Sequence, residues 1–224
     1  MSHITDTITR LHSTLPQGVQ LVAVSKYHPA EMVREAYDAG QRIFGESHVQ
    51  ELQAKHEVLP ADIQWHFIGH LQTNKVKYIA PYVSLIHAVD TEKLLTEISK
   101  QGVRCSRRIP CLLQLHVAQE ETKYGFTIAE CDEFLSSGRW RQLEGIQLSG
   151  IMCMASNVDD EEQIAREFQS AHDFFLHARD TYFPGDPAFR HCSWGMSDDY
   201  PIAVRHGSTL VRIGSMIFGA RSPL

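Results

Sequence analysis

Eight short apolar runs, separated by stretches with helical periodicity, constrain the fold of this chain more than any other feature. Each run is nearly continuous in apolar residues, which is typical of parallel strands buried on both faces. Strands that alternate with helices have two common architectures, an open doubly wound sheet and a closed eight-stranded barrel. The runs are Leu21–Lys26, Arg42–Ser47, Trp65–Gly69, Leu85–Asp90, Cys111–Val117, Leu148–Ala155, Phe189–Gly195 and Leu210–Ser215.

Two observations favour the closed barrel. The 224-residue chain offers about 28 residues to each strand–helix unit, as in a compact barrel. No GxGxxG motif follows any of the runs, which weakens the case for a dinucleotide-binding sheet. We therefore predict an α/β fold, a (β/α)8 TIM-type barrel in a single domain, with an N-terminal helix at about residues 2–16 and the barrel at about residues 20–221.

Helical periodicity is clearest in the stretch that follows the sixth run. Ile164, Phe168, Ala171 and Phe175 recur at helical spacing and form one apolar face. We interpret Asn157 as the N-cap of this helix. Stripes of this kind face the core and carry no function.

Composition and charge exclude several classes of protein. The 21 Lys and Arg against 27 Asp and Glu give a net charge of −6, which argues against binding nucleic acid by bulk charge. No apolar run approaches the roughly 18 residues of a membrane span, and Met1–Gln20 does not resemble a secretory signal. The five cysteines include no CxxC pair, which argues against a disulfide framework and a thiolate zinc site. These features predict a cytoplasmic protein.

Lys26 is the first candidate for a functional residue, because chemistry in a barrel gathers at the C-terminal ends of the strands. It ends the first run, three residues before Pro29. Burial there would lower the pKa of the amine, and a neutral amine is what Schiff-base chemistry needs. The alternative is a solvated lysine on the barrel rim.

The ends of the last two runs suit a phosphate. Gly214 allows close approach of the backbone, and Ser215 adds a hydroxyl where a short helix could begin. Ser197 follows the seventh run, where it could cap a helix and offer its hydroxyl. Barrels often bind phosphate at these two loops. The alternative is an ordinary glycine-containing loop, and Asp198 and Asp199 would repel a phosphate unless they point away.

Arg212 shares a strand face with Gly214, which predicts that it points into the barrel. A charged side chain there is costly unless it is paired, so we expect a ligand or, alternatively, an ion pair with Glu46 or another strand-end carboxylate. A lysine amine, a phosphate cradle and an interior arginine together suggest a phosphorylated aldehyde. Pyridoxal 5′-phosphate (PLP) has that aldehyde, that phosphate and a ring nitrogen for the arginine.

Four longer motifs carry a family resemblance. They are AVSKYHP (Ala23–Pro29), FGESHVQE (Phe44–Glu51), WHFIGHLQTNK (Trp65–Lys75) and the segment Gly195–Arg221, which begins GMSDDYP. Together they resemble the pyridoxal phosphate homeostasis protein family (the YggS/PROSC family), and the resemblance runs from about Val22 to Arg221, nearly the whole chain.

This resemblance implies a PLP-binding barrel similar to the N-terminal domain of bacterial alanine racemase. By motif, Lys26 matches the lysine that forms a Schiff base with PLP, and Arg212 matches the arginine near the pyridine nitrogen. It further implies a role in intracellular PLP (vitamin B6) homeostasis, supplying or buffering PLP, with apoenzymes as partners and no established reaction. The matched phosphate-binding positions are Ser197, Gly214 and Ser215, with Met196 beside them.

The chain departs from the family pattern at three positions. Ser47 replaces the asparagine of a common FGEN motif, close to the expected place of the cofactor. Ser215 stands where a threonine is frequent, which keeps the hydroxyl, and His70 stands where many members have proline. None of these changes touches Lys26.

We expect binding and delivery of PLP rather than amino-acid racemase activity. An arginine beside the ring nitrogen weakens the electron sink, and racemisation needs a second acid/base on the opposite face. In alanine racemases a tyrosine from a C-terminal β-domain supplies that group, and this chain ends at Leu224, so we expect that domain to be absent and the protein to be monomeric. Tyr27, Tyr124 or Tyr200 could substitute in principle. The remaining alternative is a cofactor-free Schiff-base lyase that uses Lys26 on a sugar phosphate.

Two histidines and a further lysine have other possible roles. His66 and His70 have HxxxH spacing, but they fall on a strand and the loop after it, so we predict no metal site. Lys123 follows the fifth run and could meet a substrate carboxylate or a second PLP, although a solvated lysine is the favoured reading.

Overall fold

A computed structural model describes residues 2–118 and 124–220 of the chain. Eight strands, one from each predicted run, close into a barrel in sequence order, and the eighth strand pairs with the first. All neighbouring strands are parallel. The predicted (β/α)8 barrel is therefore confirmed. The strands are β1 (Gln20–Val24), β2 (Ile43–Glu46), β3 (Gln64–Phe67), β4 (Leu85–Val89), β5 (Ile109–Leu115), β6 (Ile146–Cys153), β7 (His191–Ser193) and β8 (Leu210–Ile213).

Helices surround the barrel and connect its strands. The first lies before β1, where Ile4, Ile8 and Leu11 form its buried face and Ser2 caps its N-terminus. The α-helices are α1 (His3–Thr14), α2 (Ala30–Asp38), α3 (Val49–Val58), α4 (Val76–Ile79), α5 (Glu92–Arg104), α6 (Ile128–Ser136), α7 (Glu161–Tyr182), α8 (Tyr200–Arg205) and α9 (Ser215–Phe218). Short 3-10 helices lie at Thr73–Lys75 and Arg139–Gln142.

The core has two parts, because successive residues of a strand point to opposite faces of the sheet. In β8, Val211 and Ile213 pack outward among the helices, whereas Leu210 packs inward. The inner cluster is small and consists of Val22, Leu85, Leu112, Met152 and Leu210.

The N-terminus of α7 lies later than predicted. Asp160, not Asn157, is the N-cap, and its carboxylate accepts hydrogen bonds from the N–H groups of Glu162 and Gln163. The predicted apolar face is correct, since Ile164, Phe168, Ala171 and Phe175 are buried.

The five cysteines all lie in the described part of the chain, and all are free thiols. Along residues 2–118 and 124–220, no helix combines the length and the apolar character needed to cross a membrane.

Candidate functional site

A cavity of about 230 Å³ lies at the C-terminal ends of the strands. Residues from three strands, β1, β6 and β8, and from the segments that follow five strands line it, as expected for the functional end of a barrel. All six predicted site residues are among its lining residues: Lys26, Met196, Ser197, Arg212, Gly214 and Ser215. The others are Val24, His28, Ile68, Met152, Met154, Asp198 and Gly219. We refer to this space as the Lys26 cavity.

Lys26 is half-buried in a tight turn after β1. The turn is closed by a hydrogen bond from the His28 N–H to the Ser25 carbonyl at 3.1 Å. Tyr27 adopts the left-handed backbone region with a φ of 67°, which costs a non-glycine residue about 1 kcal/mol or more. Its N–H donates to Glu51 Oε1 at 2.6 Å, and this contact holds the unfavourable conformation in place.

A cluster of charged side chains is hydrogen-bonded to the backbone of this turn. Lys55 donates from Nζ to the Ser25 carbonyl at 2.7 Å, to Glu46 Oε1 at 2.6 Å and to Glu51 Oε1 at 2.8 Å. The Ser25 hydroxyl donates to Glu46 Oε1 at 2.6 Å. Both residues that flank Lys26 are thus tied to one cluster, which fixes the direction of its backbone. We refer to Glu46, Glu51 and Lys55 as the clamp.

Glu46 is the most constrained member of the clamp. Burial raises the pKa of its carboxyl to about 7, against the opposing effect of the Lys55 cation. Its Oε2 atom is buried and has no hydrogen-bond partner in the described part of the chain. An arrangement of this kind depends on Lys55, because the cation compensates most of the buried negative charge.

Arg212 points into the barrel, as predicted, and is only 4% exposed. Its Nη1 donates to the Ser193 carbonyl and hydroxyl, both at 2.7 Å, and its Nη2 donates to the Cys153 carbonyl at 3.1 Å. Burial lowers the pKa of the guanidinium, which still remains charged at neutral pH. The predicted alternative, an ion pair with Glu46, is wrong, because Glu46 pairs with Lys55.

The serine and glycine positions lie together between the seventh and eighth strands. The Gly214 N–H points to Ser197 Oγ at 3.4 Å. Ser215 begins α9, in which the Ile217 and Phe218 N–H groups both donate to the Gly214 carbonyl at 2.9 Å. Ser197 does not cap α8, contrary to expectation, because Asp199 occupies the N-cap position.

The two neighbouring aspartates lie differently. Asp199 is buried and turns back to accept the Met196 N–H at 2.6 Å, and burial raises the pKa of its carboxyl. Asp198 is exposed and lies at the edge of the Lys26 cavity. The carboxylate of Asp198, which directly follows Ser197, is therefore solvated. The carboxylate of Asp199 is buried and bonded to the backbone of its own loop.

Several other sequence candidates lie away from this cavity. His66 lies inside the barrel but faces its opposite end, and His70 donates from Nδ1 to Asp90 Oδ2 at 2.8 Å. No group of three or more metal-ligating side chains occurs in residues 2–118 and 124–220. Lys123 lies outside the described residues.

The three tyrosines that were considered as acid/base groups do not line the Lys26 cavity in the described structure. Tyr27 packs its ring on His48, with centroids 5.1 Å apart. Tyr124 stacks on His70 at 4.3 Å and is exposed, and Tyr200 begins α8.

Lys55 is the functional residue that sequence reasoning missed. Glu46 and Glu51 stand within a recognised motif, but Lys55 follows that motif. Its spacing offers a signal, since Glu51 and Lys55 are four residues apart on α3 and therefore share a face. The apolar walls of the cavity, formed by Ile68, Met152 and Met154, carried no distinguishing pattern.

Comparison with known proteins assigns the family. The family model for the alanine racemase N-terminal domain matches residues 1–222. A pyridoxal phosphate homeostasis protein of Aquifex aeolicus is 35% identical over 203 residues, which cover 90% of this chain and 87% of that protein. One of Schizosaccharomyces pombe is 37% identical, covering 92% of this chain and 85% of that protein. The chain belongs to the pyridoxal phosphate homeostasis protein family.

Solved structures agree with this family assignment. PipY of Synechococcus elongatus PCC7942, solved with PLP bound, has a TM-score of 0.86 at 34% identity and covers 96% of this chain and 100% of that chain. The alanine racemase of Streptomyces lavendulae has a TM-score of 0.75 at 19% identity, over 99% of this chain and 58% of that chain, which shows the shared fold.

The three positions that depart from the family pattern lie in different places. Ser47 is not among the residues that line the Lys26 cavity, and its hydroxyl lies 3.2 Å from His48 Nδ1. Ser215 lines the cavity and retains a hydroxyl there. His70 lies on the rim beside Tyr124 and Asp90.

Proposed function

We propose that this protein binds PLP in the Lys26 cavity and serves intracellular PLP homeostasis by holding, buffering and supplying the cofactor. The observation that carries the proposal is the convergence of an amine, a guanidinium and two hydroxyls on one cavity at the C-terminal end of the barrel. Relatives that are 35–37% identical are named pyridoxal phosphate homeostasis proteins, and the PipY structure holds PLP.

The chemistry of the lining residues fits PLP. When bound, PLP supplies an aldehyde that condenses with an amine, together with a phosphate and a flat aromatic ring. Lys26 offers the amine, and Ser197 and Ser215 offer hydroxyl donors. Ile68, Met152 and Met154 offer apolar surface for a ring. At Gly214, a Cβ would approach the Val24 carbonyl oxygen to 3.0 Å, so the close packing of this segment against β1 favours a residue without a side chain.

Each residue has a distinct role in this proposal. Lys26 holds PLP covalently through Nζ. Gly214, Ser215 and Ser197 bind the phosphate, with Met196 beside them. Arg212 would face the pyridine nitrogen of bound PLP, and because a guanidinium donates hydrogen bonds and accepts none, it would favour the unprotonated nitrogen. Its hydrogen bonds to the Ser193 and Cys153 carbonyls fix the position of its guanidinium in the barrel.

Binding is favoured over racemisation by what the cavity lacks. Racemisation requires a second acid/base opposite the lysine, and no tyrosine lines the Lys26 cavity in the described residues. We further propose that the protein is cytoplasmic and monomeric, and that PLP-dependent apoenzymes receive the cofactor.

A spectroscopic titration tests the binding proposal. PLP is added to the purified protein, to Lys26→Ala and to the control Lys100→Ala, whose lysine is exposed on α5. We expect the wild type and the control to develop the visible absorption band of a lysine-bound PLP, and Lys26→Ala to lack it. A band of equal strength in Lys26→Ala, or no band in the wild type, would contradict the proposal. If the wild type takes up no PLP, the Schiff-base lyase would be tested with sugar phosphates.

A transfer assay tests the homeostasis proposal. The PLP-loaded protein is separated by a dialysis membrane from a PLP-dependent apoenzyme, and in parallel is mixed with it directly. Recovery of apoenzyme activity in either format supports a role in supply. Retention of PLP on the protein in both formats would contradict that role while leaving binding intact.

A further inference from the structure

A second cavity, of about 460 Å³, lies at the opposite end of the barrel. Its lining includes the first residues of strands, among them Gln20 and Gln64, which places it at the N-terminal ends. His66, Gln147, Arg190 and His191 contribute further polar side chains. We refer to it as the floor cavity. It takes no part in the PLP site described above.

A hydrogen-bonded chain through the barrel interior connects this cavity with Arg212. Arg212 Nη1 donates to Ser193 Oγ at 2.7 Å, and Ser193 Oγ lies 2.8 Å from His87 Nδ1. His87 Nε2 lies 2.9 Å from His66 Nδ1. His66 is 5% exposed and lines the floor cavity, and its Nε2 has no partner among the described residues.

The direction of this chain follows from its arginine end. A guanidinium only donates, so Ser193 Oγ accepts from it and has one proton left to give. Ser193 is fully buried, and its proton is satisfied when it goes to His87 Nδ1. His87 then carries its proton on Nε2 and donates to His66 Nδ1.

The same argument continues to the cavity. Burial lowers the pKa of His66 to about 3 and the pKa of His87 well below its ordinary value, so each ring holds a single proton at neutral pH. Because His66 Nδ1 accepts, its proton is on Nε2. His66 therefore presents an N–H donor to the floor cavity.

The charge of the lining matches a ligand rich in acceptors. Arg190 is its formal cation, and no Asp or Glu is among the described residues that line the floor cavity. Burial lowers the pKa of His191 to about 4, so this ring is neutral at pH 7. The amides of Gln64 and Gln147 add further donors.

We propose that the floor cavity is a binding site for a small oxyanion, a carboxylate or a phosphate, which is held by Arg190 and by the Nε2–H of His66. This site goes beyond PLP binding and does not depend on it. The site requires the tautomer of His66 with its proton on Nε2, and the hydrogen-bonded chain from Arg212 selects that tautomer.

Nuclear magnetic resonance of the protein labelled with ¹⁵N-histidine tests both parts. The resonances of His66 are assigned by their loss in His66→Gln. We expect the free protein to show His66 protonated on Nε2. Titration with succinate and, in a separate arm, with inorganic phosphate should then shift the His66 signal saturably at constant ionic strength, and the stronger binder identifies the preferred anion class.

Two arginine variants localise the effect. Arg190→Gln should weaken the binding about tenfold or more, as expected for loss of a charge-assisted hydrogen bond. Arg205→Gln removes an equal charge from the exposed end of α8 and should leave it unchanged. A shift that persists in Arg190→Gln would come from anions in the Lys26 cavity and would overturn the proposal. A proton on His66 Nδ1, or no saturable shift, would also overturn it.

Discussion

At the scale of single residues, Lys26 depends on groups that never enter its cavity. The Ser25 carbonyl is bonded to Lys55, and the Tyr27 N–H is bonded to Glu51. A flexible lysine would approach an aldehyde from many directions. The clamp instead fixes the backbone on both sides of Lys26, so the side chain leaves the backbone in one direction.

Replacing Lys55 with methionine should destabilise the protein strongly. The change keeps the length of the side chain but leaves Glu46 and the Ser25 carbonyl buried without their cation. Removing one partner of a buried ion pair costs about 3–5 kcal/mol. Urea unfolding of Lys55→Met should show a loss of this size in the free energy of unfolding.

Two controls make the Lys55 experiment specific. Lys100→Met, on the exposed surface of α5, should change the free energy of unfolding by about 0.5 kcal/mol or less. Lys55→Met combined with Glu46→Gln should recover part of the loss, because the uncompensated charge is gone. Equal stability of Lys55→Met and wild type would contradict the role assigned to the clamp.

At the scale of elements, β6 depends on a position without a side chain. Gly150 has a φ of 146°, and a Cβ there would lie 1.9 Å from the His191 carbonyl oxygen. It also pairs with Leu112, where the β5–β6 register shifts. The Cβ would collide with backbone atoms of His191, and the pairing with Leu112 fixes the position of Gly150 in the sheet. No change of side-chain rotamer can therefore relieve the collision.

Gly150→Ala should therefore be severely destabilising, by more than about 3 kcal/mol in thermal or urea unfolding, or should yield no folded protein. The matched control is Gly185→Ala. Gly185 has a similarly left-handed φ of 73°, but a Cβ there has nothing within 4 Å. The control should cost only the conformational penalty of about 1 kcal/mol. Equal losses in the two variants would show that the conformation, and not the contact with β7, is what matters.

The ends of elements also show where sequence reasoning was accurate. The eight apolar runs predicted the strands because burial on both faces leaves a continuous signal. Helix caps were harder, since several polar residues precede α7 and only backbone geometry selects Asp160 over Asn157. Ser197 was misplaced as a cap for the same reason.

At the scale of the whole molecule, the polar interior of the barrel makes stability sensitive to acid. Burial lowers the pKa of His66 to about 3, below its ordinary value of 6.5. As the pH falls below 6.5, the unfolded chain takes up a proton on this ring and the folded protein does not. The stability contributed by the neutral ring is therefore lost progressively from about pH 6.5 towards pH 3.

His66→Gln should reduce this dependence. Glutamine can still accept from His87 but does not titrate. Below about pH 6.5 the free energy of unfolding of the wild type should fall faster than that of the variant, by about 1.4 kcal/mol for each pH unit. Urea unfolding at several pH values checks the slope. Parallel curves would mean that His66 is protonated in the folded protein.

The barrel and five of the six predicted residues of the Lys26 cavity could be predicted because each leaves a local mark: an apolar run, a glycine, a hydroxyl after a strand, or a cation in or after a strand. Met196 was indicated by the family resemblance alone. The two polar networks left no local mark. The Arg212–Ser193–His87–His66 chain joins strands β8, β7, β4 and β3, and the clamp joins β2 to α3. Such contacts depend on strand register and helix rotation, which a single sequence does not specify.

Mapping the covalent position of PLP tests the central proposal most directly. The protein is incubated with PLP, reduced with borohydride, digested with trypsin and examined by peptide mass spectrometry. Because trypsin does not cleave after a modified lysine, we predict one labelled peptide, Leu11–Arg34, with the added mass on Lys26 and no such peptide from Lys26→Ala. A label on another lysine, or no label at all, would contradict the assignment of Lys26 as the residue that holds PLP.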